Sequence, residues 1–163
     1  MSNFKIPDLT QSEIDEGTKF ALSSDRHRYP KLLHKKGDEF NRVFNFMTRD
    51  SYMQPHLHPG SEKIECIHIV SGELATIFFD DQGHVVDVHL LSKDHKPFIN
   101  VPAFTWHTYI ILSDIAITYE TMMGVYDPQT WKHFASWAPT ESDPRSSSYR
   151  ESLRSLIVNV SNS

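Results

Sequence analysis

Eight short β-rich runs follow one another closely in the middle of the chain, and they limit the possible folds more than any other feature. From about residue 40 the hydrophobic pattern has a period of two, as where Phe44 and Phe46 alternate with Asn45, and this period is typical of β-strands. The close spacing predicts an antiparallel sandwich or barrel, because parallel strands would need crossover helices between them. We place the runs at 40–48, 52–58, 64–71, 73–79, 84–91, 97–101, 106–112 and 115–123.

Helical patterns flank these runs. Thr10 and Glu13 have the spacing of a capping box, and the apolar positions that follow predict a short helix over 11–23. Residues 26–37 are polar and contain Pro30, so we expect an extended lead-in there.

The C-terminal part shows two further helical patterns. Between 128 and 139, Trp131, Phe134 and Ala135 fall on one side of a predicted helix. Apolar residues at 149, 153, 156 and 157 then predict a terminal helix that packs on the barrel or on a partner subunit.

A chain of 163 residues is long enough for one domain with its own core. We therefore predict one all-β domain with flanking helices over 1–163. Its barrel core spans about 40–123, with a helical segment at 10–24 and a helical cap at 127–163.

Composition excludes several classes of function. The net charge of -5 offers no basic surface to phosphate backbones, so nucleic acid is not an expected partner. Cys66 is the only cysteine, which excludes an internal disulfide and a multi-cysteine zinc site. The sequence shows no leader pattern at its start and no window near the roughly 18 apolar residues needed to span a membrane. We expect a cytoplasmic protein.

Histidine is frequent, with ten residues, and two of them form a metal-binding pattern. His56 and His58 lie on a predicted strand, where residues i and i+2 share a face, so both imidazoles can reach one ion. Such a pair alone is weak evidence. Glu65 begins the next run across a short loop, as a hairpin neighbour, and His107 begins a later one.

Three imidazoles and one carboxylate form a mixed nitrogen and oxygen ligand set. This set suits iron, manganese, nickel, copper or zinc and does not choose among them. We predict one divalent transition metal per chain, with coordination positions left for substrate or water. Its ligands are His56, His58, Glu65 and His107.

The same residues resemble the two motifs of the cupin superfamily. Pro-His-Leu-His at 55–58, with Glu65 and Gly72, resembles the first motif, and residues 102–107 resemble the second. More narrowly, the chain resembles the WbuC-type cupin-fold metalloproteins almost from end to end. The other matching blocks are RHR at 26–28, LH at 33–34, WHT at 106–108, GVYDP at 124–128 and ASWAPTE at 135–141.

This resemblance implies a double-stranded β-helix (jelly-roll) barrel with its metal inside, and a homodimer. The WbuC-type family is associated with surface-polysaccharide gene clusters, and no reaction is established for it. The chain departs from the second motif at Phe104, where glycine is usual, and it lacks a further glycine near Lys96. The turn before His107 is therefore expected to differ in conformation from the turn of the usual motif. Glu62 is an alternative carboxylate ligand, although Glu65 keeps the motif's spacing to Gly72.

Four further residues are candidates for contact with a substrate. Arg26 and Arg28 could grip a carboxylate or phosphate, or could form a surface salt bridge that holds the N-terminal segment. Tyr109 shares the inward face of His107, and it is either a proton donor or a core aromatic. Glu120 is a candidate acid or base if it points inward, because burial raises the pKa of a carboxyl group.

The remaining candidates are given structural roles. We expect Cys66 to be a small buried hydrophobe, and Trp131 and Trp137 to pack in the C-terminal cap. His68 is expected to face outward or to lie at an interface. We assign no role to five histidines expected to be exposed, His34, His84, His89, His95 and His133.

Two functions fit these features. The first is a metalloenzyme that acts on a small polar molecule, such as a sugar or sugar derivative, as an isomerase, an epimerase or an oxygenase. The second is a non-catalytic, metal-dependent module that binds or senses a small molecule, since one fold can host both kinds of role. An acid or base residue that faces the metal would favour the enzyme.

Overall fold

Ten strands and two helices form the regular structure of residues 5–161, the part of the chain that the computed structural model describes. The helices are α1 (Gln11–Ser23) and α2 (Ser146–Ser161). The first five strands are β1 (Arg28–Leu32), β2 (Phe40–Thr48), β3 (His56–Leu57), β4 (Glu65–Ser71) and β5 (Glu73–Phe79). The others are β6 (Val85–Ser92), β7 (Phe98–Val101), β8 (Trp106–Ile111), β9 (Ile115–Met123) and β10 (His133–Phe134).

The strands form two five-stranded antiparallel sheets. The first sheet has the order β1-β2-β9-β4-β7, and the second has the order β10-β3-β8-β5-β6. The predicted all-β architecture with flanking helices is confirmed. Apolar side chains from both sheets meet between them, for example Ile67 of the first sheet and Leu74 and Ile111 of the second.

Helix α1 covers the outer face of the first sheet. The expected capping box is present, with the Glu13 backbone nitrogen donating to the Thr10 hydroxyl at 3.2 Å and the Thr10 backbone nitrogen donating to the Glu13 carboxylate at 2.9 Å. Ala21 of the helix clusters with Phe44 and Phe46 of β2. Because side chains alternate along a strand, the neighbouring Asn45 is turned toward the space between the sheets.

Helix α2 covers the outer face of the second sheet. Leu153 and Ile157 pack with Ala75, Ile77 and Ile110 of the strands beneath. The predicted terminal helix is thus present, and each helix covers part of the outer face of one sheet. Among residues 5–161, no helix is both long enough and apolar enough to cross a membrane.

Some predicted elements differ from those observed. The helix predicted between 128 and 139 is wrong, because these residues form turns and the short strand β10, which pairs with β3. The lead-in contains an additional edge strand, β1, which tolerates Pro30 because one side of an edge strand needs no ladder hydrogen bond. Of the run placed at 52–58, only β3 is a strand.

The turn between β4 and β5 requires glycine. Gly72 has a φ of +79°, and a Cβ atom there would lie 2.3 Å from the backbone oxygen of Ile115. A larger residue would therefore collide with backbone that cannot easily move.

Candidate metal centre

Four buried side chains converge in the space between the two sheets. One ligand atom from each of His56, His58, Glu65 and His107 lies within 4.8 Å of the others. His56 on β3 is directly opposite His107 on β8, and His58 follows β3 immediately. Glu65 begins β4 in the other sheet, so it reaches the histidines across the barrel and not as the hairpin neighbour that the sequence suggested.

Hydrogen bonds fix the orientation of the three imidazoles. In each ring, Nδ1 lies 2.8–2.9 Å from a backbone carbonyl oxygen. Because a carbonyl only accepts, Nδ1 carries the proton of the neutral ring and Nε2 keeps a lone pair. The pairs are His56 with Gln54, His58 with Trp131, and His107 with Thr105.

The three Nε2 atoms face one another and the carboxylate of Glu65. Its Oε2 atom lies 3.1 Å from Nε2 of His107 and 3.3 Å from Nε2 of His58. Nε2 of His56 and Nε2 of His58 are buried without a hydrogen-bond partner in the described part of the chain. Buried polar atoms without partners are costly, and a cation between them would satisfy them all.

The protonation states favour such a cation. Burial lowers the pKa of His56 well below its usual value, so this ring is neutral. Burial would raise the pKa of Glu65, but the imidazoles of His107 and His58 hold it well below its usual value, so the group is a carboxylate. The Tyr109 hydroxyl donates to Oε2 of Glu65 at 2.7 Å. Neutral imidazoles and a carboxylate are the forms that bind transition metals.

Glu62, the alternative carboxylate, is not part of this cluster. It is exposed on the loop before β4, whereas Glu65 is buried. The structure therefore brings together the four residues predicted as ligands.

A cavity of about 550 Å³ opens beside the cluster, and His58 and Glu65 lie in its wall. Glu120 on β9 lies in the same wall and is buried. Asn45 donates to one of its carboxylate oxygens at 2.7 Å and the Thr118 hydroxyl donates to the other at 2.6 Å. Burial and then the charge of Glu65 raise the pKa of Glu120 to about 7.

The two predicted arginines lie at this cavity but are already paired. Arg26 is exposed and donates to Glu141 at 2.9 Å. Arg28 is buried, pairs with the same carboxylate and donates to the backbone oxygen of Tyr52 at 3.0 Å. The two guanidinium groups therefore join the start of β1 and the residue two positions before it to the C-terminal segment. The pair of Arg26 is at the surface, and that of Arg28 is buried. Tyr109 is bonded to Glu65 and is not among the residues that line the cavity.

Sequence reasoning missed Lys132, Asn45 and the backbone role of Trp131. Lys132 lies in the cavity wall, and Trp131 supplies the carbonyl that orients His58. The direction of the Asn45 side chain could have been predicted, since a polar residue that alternates with two core phenylalanines must face the opposite side of its strand. A single lysine in an irregular segment carries no comparable signal.

The other residues considered have the following surroundings. His84, His95 and His133 are exposed as expected, whereas His34 and His89 are half-buried. Cys66 is half-buried rather than buried, and His68 stacks on Phe98 with 5.4 Å between ring centroids. Trp137 packs against Phe79 and Trp106.

Phe104 has a left-handed backbone conformation, with a φ of 59°. The position where the chain departs from the second motif is thus the position where glycine would be unstrained. Its backbone nitrogen donates to the carbonyl oxygen of His58 at 3.0 Å.

Solved structures with this architecture are cupin barrels. A cupin 2 conserved barrel protein from Rhodopseudomonas palustris matches with a TM-score of 0.50 and 13% identity, over 71% of this chain and 69% of that one. Protein SO0799 from Shewanella oneidensis matches with a TM-score of 0.58 and 10% identity, over 74% and 82% of the two chains. An oxalate oxidase in complex with the substrate analogue glycolate matches with a TM-score of 0.54 and 11% identity, over 69% of this chain and 57% of that one.

These likenesses show a cupin-type barrel fold, and the buried cluster inside it is a candidate metal centre. The chain belongs to the family described as Domain of unknown function (DUF6016), which matches residues 9–91. No curated protein sequence matches the chain.

Proposed function

We propose that this protein is a metalloenzyme that holds one divalent transition metal and acts on a small polar molecule. The metal ligands are His56, His58, Glu65 and His107. The observation that carries the proposal is the convergence of unpartnered Nε2 atoms and a carboxylate beside a cavity that also contains Glu120. The ion when bound supplies a Lewis acid.

The chain's own residues would then bind the substrate and move a proton. Glu120 is the proton carrier, because a carboxyl group with a pKa near neutrality can both accept and release a proton there. Asn45 and Thr118 hold its two oxygens in place. Tyr109 acts as a positioning residue, since its hydroxyl fixes Oε2 of Glu65.

The substrate class is a sugar or a sugar derivative, and the reaction is an isomerisation, an epimerisation or an oxygenation. This finer assignment rests on the resemblance to the WbuC-type proteins. The non-catalytic binding module is the second candidate. The position of Glu120 in the cavity wall favours the enzyme, because a binding module needs no group that titrates near pH 7.

Metal content measured by mass spectrometry on untagged protein is the first test. We expect about one equivalent of a transition metal per wild-type chain and a loss of most of it in His58→Ala and in Glu65→Ala, because removal of one ligand leaves an incomplete site. The protein with its native metal would then be screened for conversion of sugars and sugar derivatives.

His133→Ala is the matched control, because His133 is exposed and lies outside the cluster. Its metal content should equal that of the wild type. If wild-type protein retains no metal and binds none on titration, the proposal is wrong.

A further inference from the structure

We propose that the ammonium group of Lys132 binds an anionic group of the ligand, so that the ligand of this cavity is a small organic anion. The inference deepens the proposed function and rests on it, since it concerns the same cavity.

Lys132 is a cation without an anionic partner. Its Nζ atom has one hydrogen-bond acceptor in the described part of the chain, the sulfur of Met53 at 3.6 Å, and a thioether is a weak acceptor. No carboxylate lies within ion-pair distance of it in residues 5–161, whereas Lys31 pairs with Glu13 at 2.5 Å. The ammonium group thus keeps donors that a bound anion could use.

Lys132 is half-buried, and its partial removal from water makes this arrangement costly. Burial lowers the pKa of Lys132, although the charges of Glu65 and Glu120 oppose the effect. A cation removed from water is costly unless a partner replaces the lost hydration. An anion in the cavity would be that partner.

The backbone holds Lys132 beside the metal ligands on both sides. The preceding residue, Trp131, accepts the Nδ1 proton of His58 at 2.8 Å. The following residue, His133, is the first residue of β10, which pairs with β3 and therefore with His56. The lysine thus lies between one residue bonded to His58 and a short strand paired with the strand of His56.

The charges that line the cavity also favour an anion. Three cations and three carboxyl groups line the cavity. Without a metal the cavity is neutral when Glu120 is ionised and carries one net positive charge when Glu120 is protonated. A divalent ion adds two positive charges, and a positively charged cavity attracts anions. The cations are Arg26, Arg28 and Lys132, and the carboxylates are Glu65, Glu120 and Glu141.

Lys132 is the cation that remains free for this role. Arg26 and Arg28 share the carboxylate of Glu141, as described above. The volume of about 550 Å³ lies within the usual range for small-molecule sites. The ligand would be a small polar molecule that carries a carboxylate or a phosphate, and a single ammonium group can bind either.

The test compares anions with neutral molecules of similar skeleton, by calorimetric titration of the metal-bound protein. The anions are glycerate, gluconate and glucose 6-phosphate, and the neutral probes are glycerol and glucose. We expect at least one anion to bind wild type at least about 10-fold more tightly than its neutral counterpart. Lys132→Met should weaken the binding of that anion by about 10- to 100-fold, as expected for loss of a charged hydrogen bond. Lys132→Arg should restore part of the affinity.

Lys63→Met is the matched control. Lys63 is a buried lysine on the Trp131 ring, 5.1 Å from its centroid, and its Nζ donates to the Thr130 carbonyl, but it does not line the cavity. This variant should bind the anion like wild type.

Metal content and melting temperature are measured for every variant, which separates the two proposals. Absence of metal from wild type contradicts the proposed function. The anion inference alone is overturned if metal-bound wild type shows no preference for any anion, or if Lys132→Met holds metal and binds the anions as tightly as wild type.

Discussion

Phe104 places a bulky side chain at a backbone conformation that suits glycine. Its φ is 59°, and its side chain is 59% exposed, so little packing offsets the strain. A non-glycine residue in the left-handed region costs about 1–2 kcal/mol. The same residue hydrogen-bonds His58 and precedes His107 by three positions, so the strain lies in a turn beside two candidate metal ligands.

We expect Phe104→Gly to raise the free energy of unfolding by about 1 kcal/mol, because relief of the strain outweighs the greater freedom of glycine in the unfolded chain. Urea unfolding of the metal-free protein measures the change.

Phe104→Ala is the control for this substitution, since alanine also lacks the aromatic ring but keeps a Cβ atom at positive φ. It should not stabilise the protein. Equal stabilisation by glycine and alanine would place the cost in the exposed ring and not in the backbone.

At the level of single residues, the sequence predicted which four side chains converge, because these residues occupy alternating or motif-spaced positions. The pairing of His56 with His107 follows from strand register, as does the inward direction of Glu120. The position of Lys132 depends on how an irregular segment returns to β3. No local sequence pattern predicts this pairing, so the position of Lys132 beside the cavity could be seen only in the structure.

Individual elements were predictable where a periodic pattern is long enough to fix one conformation. Strands β2, β5 and β9 have the predicted bounds, since each presents at least seven alternating or apolar residues. Strand β10 has two residues and depends on pairing with β3. The helix predicted there is wrong, because Trp131 and Phe134 each contact a different histidine of the buried cluster and share no helix face.

Helix α1 lies so close to the first sheet that one of its positions has no room for a side chain. A Cβ atom on Gly17 would lie 2.5 Å from ring atoms of Phe46. Glycine normally weakens a helix by about 1 kcal/mol relative to alanine. Here it permits the close contact that buries Phe46.

Gly17→Ala should therefore destabilise the protein, by about 1–2 kcal/mol net, because overpacking costs more than the gain in helix propensity. Thermal or urea unfolding measures the effect. Glu16→Ala, on the exposed side of the same helix, serves as the control and should change stability by less than about 0.5 kcal/mol. A more stable Gly17→Ala would show that the helix can move away from the sheet.

Across the whole molecule, apolar side chains occupy three layers, one between the sheets and one under each helix. Glu120 is an ionisable group within this apolar frame, and its raised pKa links protonation to the stability of the entire fold. The expected homodimer and the cytoplasmic location remain predictions from the sequence.

The folded protein binds the Glu120 proton more tightly than the unfolded chain, since the pKa is about 7 in the fold and 4.5 without it. The resulting stabilisation is complete below pH 4.5 and is lost as the pH rises to 7. Because Glu120→Gln stays neutral, its stability relative to wild type should increase across this range, by about 3 kcal/mol in total. Urea unfolding of both metal-free proteins between pH 4.5 and 7.5 measures this difference, and a constant difference would contradict the expectation.

The candidate ligands come from both sheets, so the complete site forms only when the two sheets have packed together. One sheet supplies three imidazoles and the other supplies the carboxylate, from residues 42 positions apart in the case of Glu65 and His107. A partly folded chain with only one sheet in place holds an incomplete set. If the site binds its ion as proposed, tight binding is therefore expected only after barrel closure.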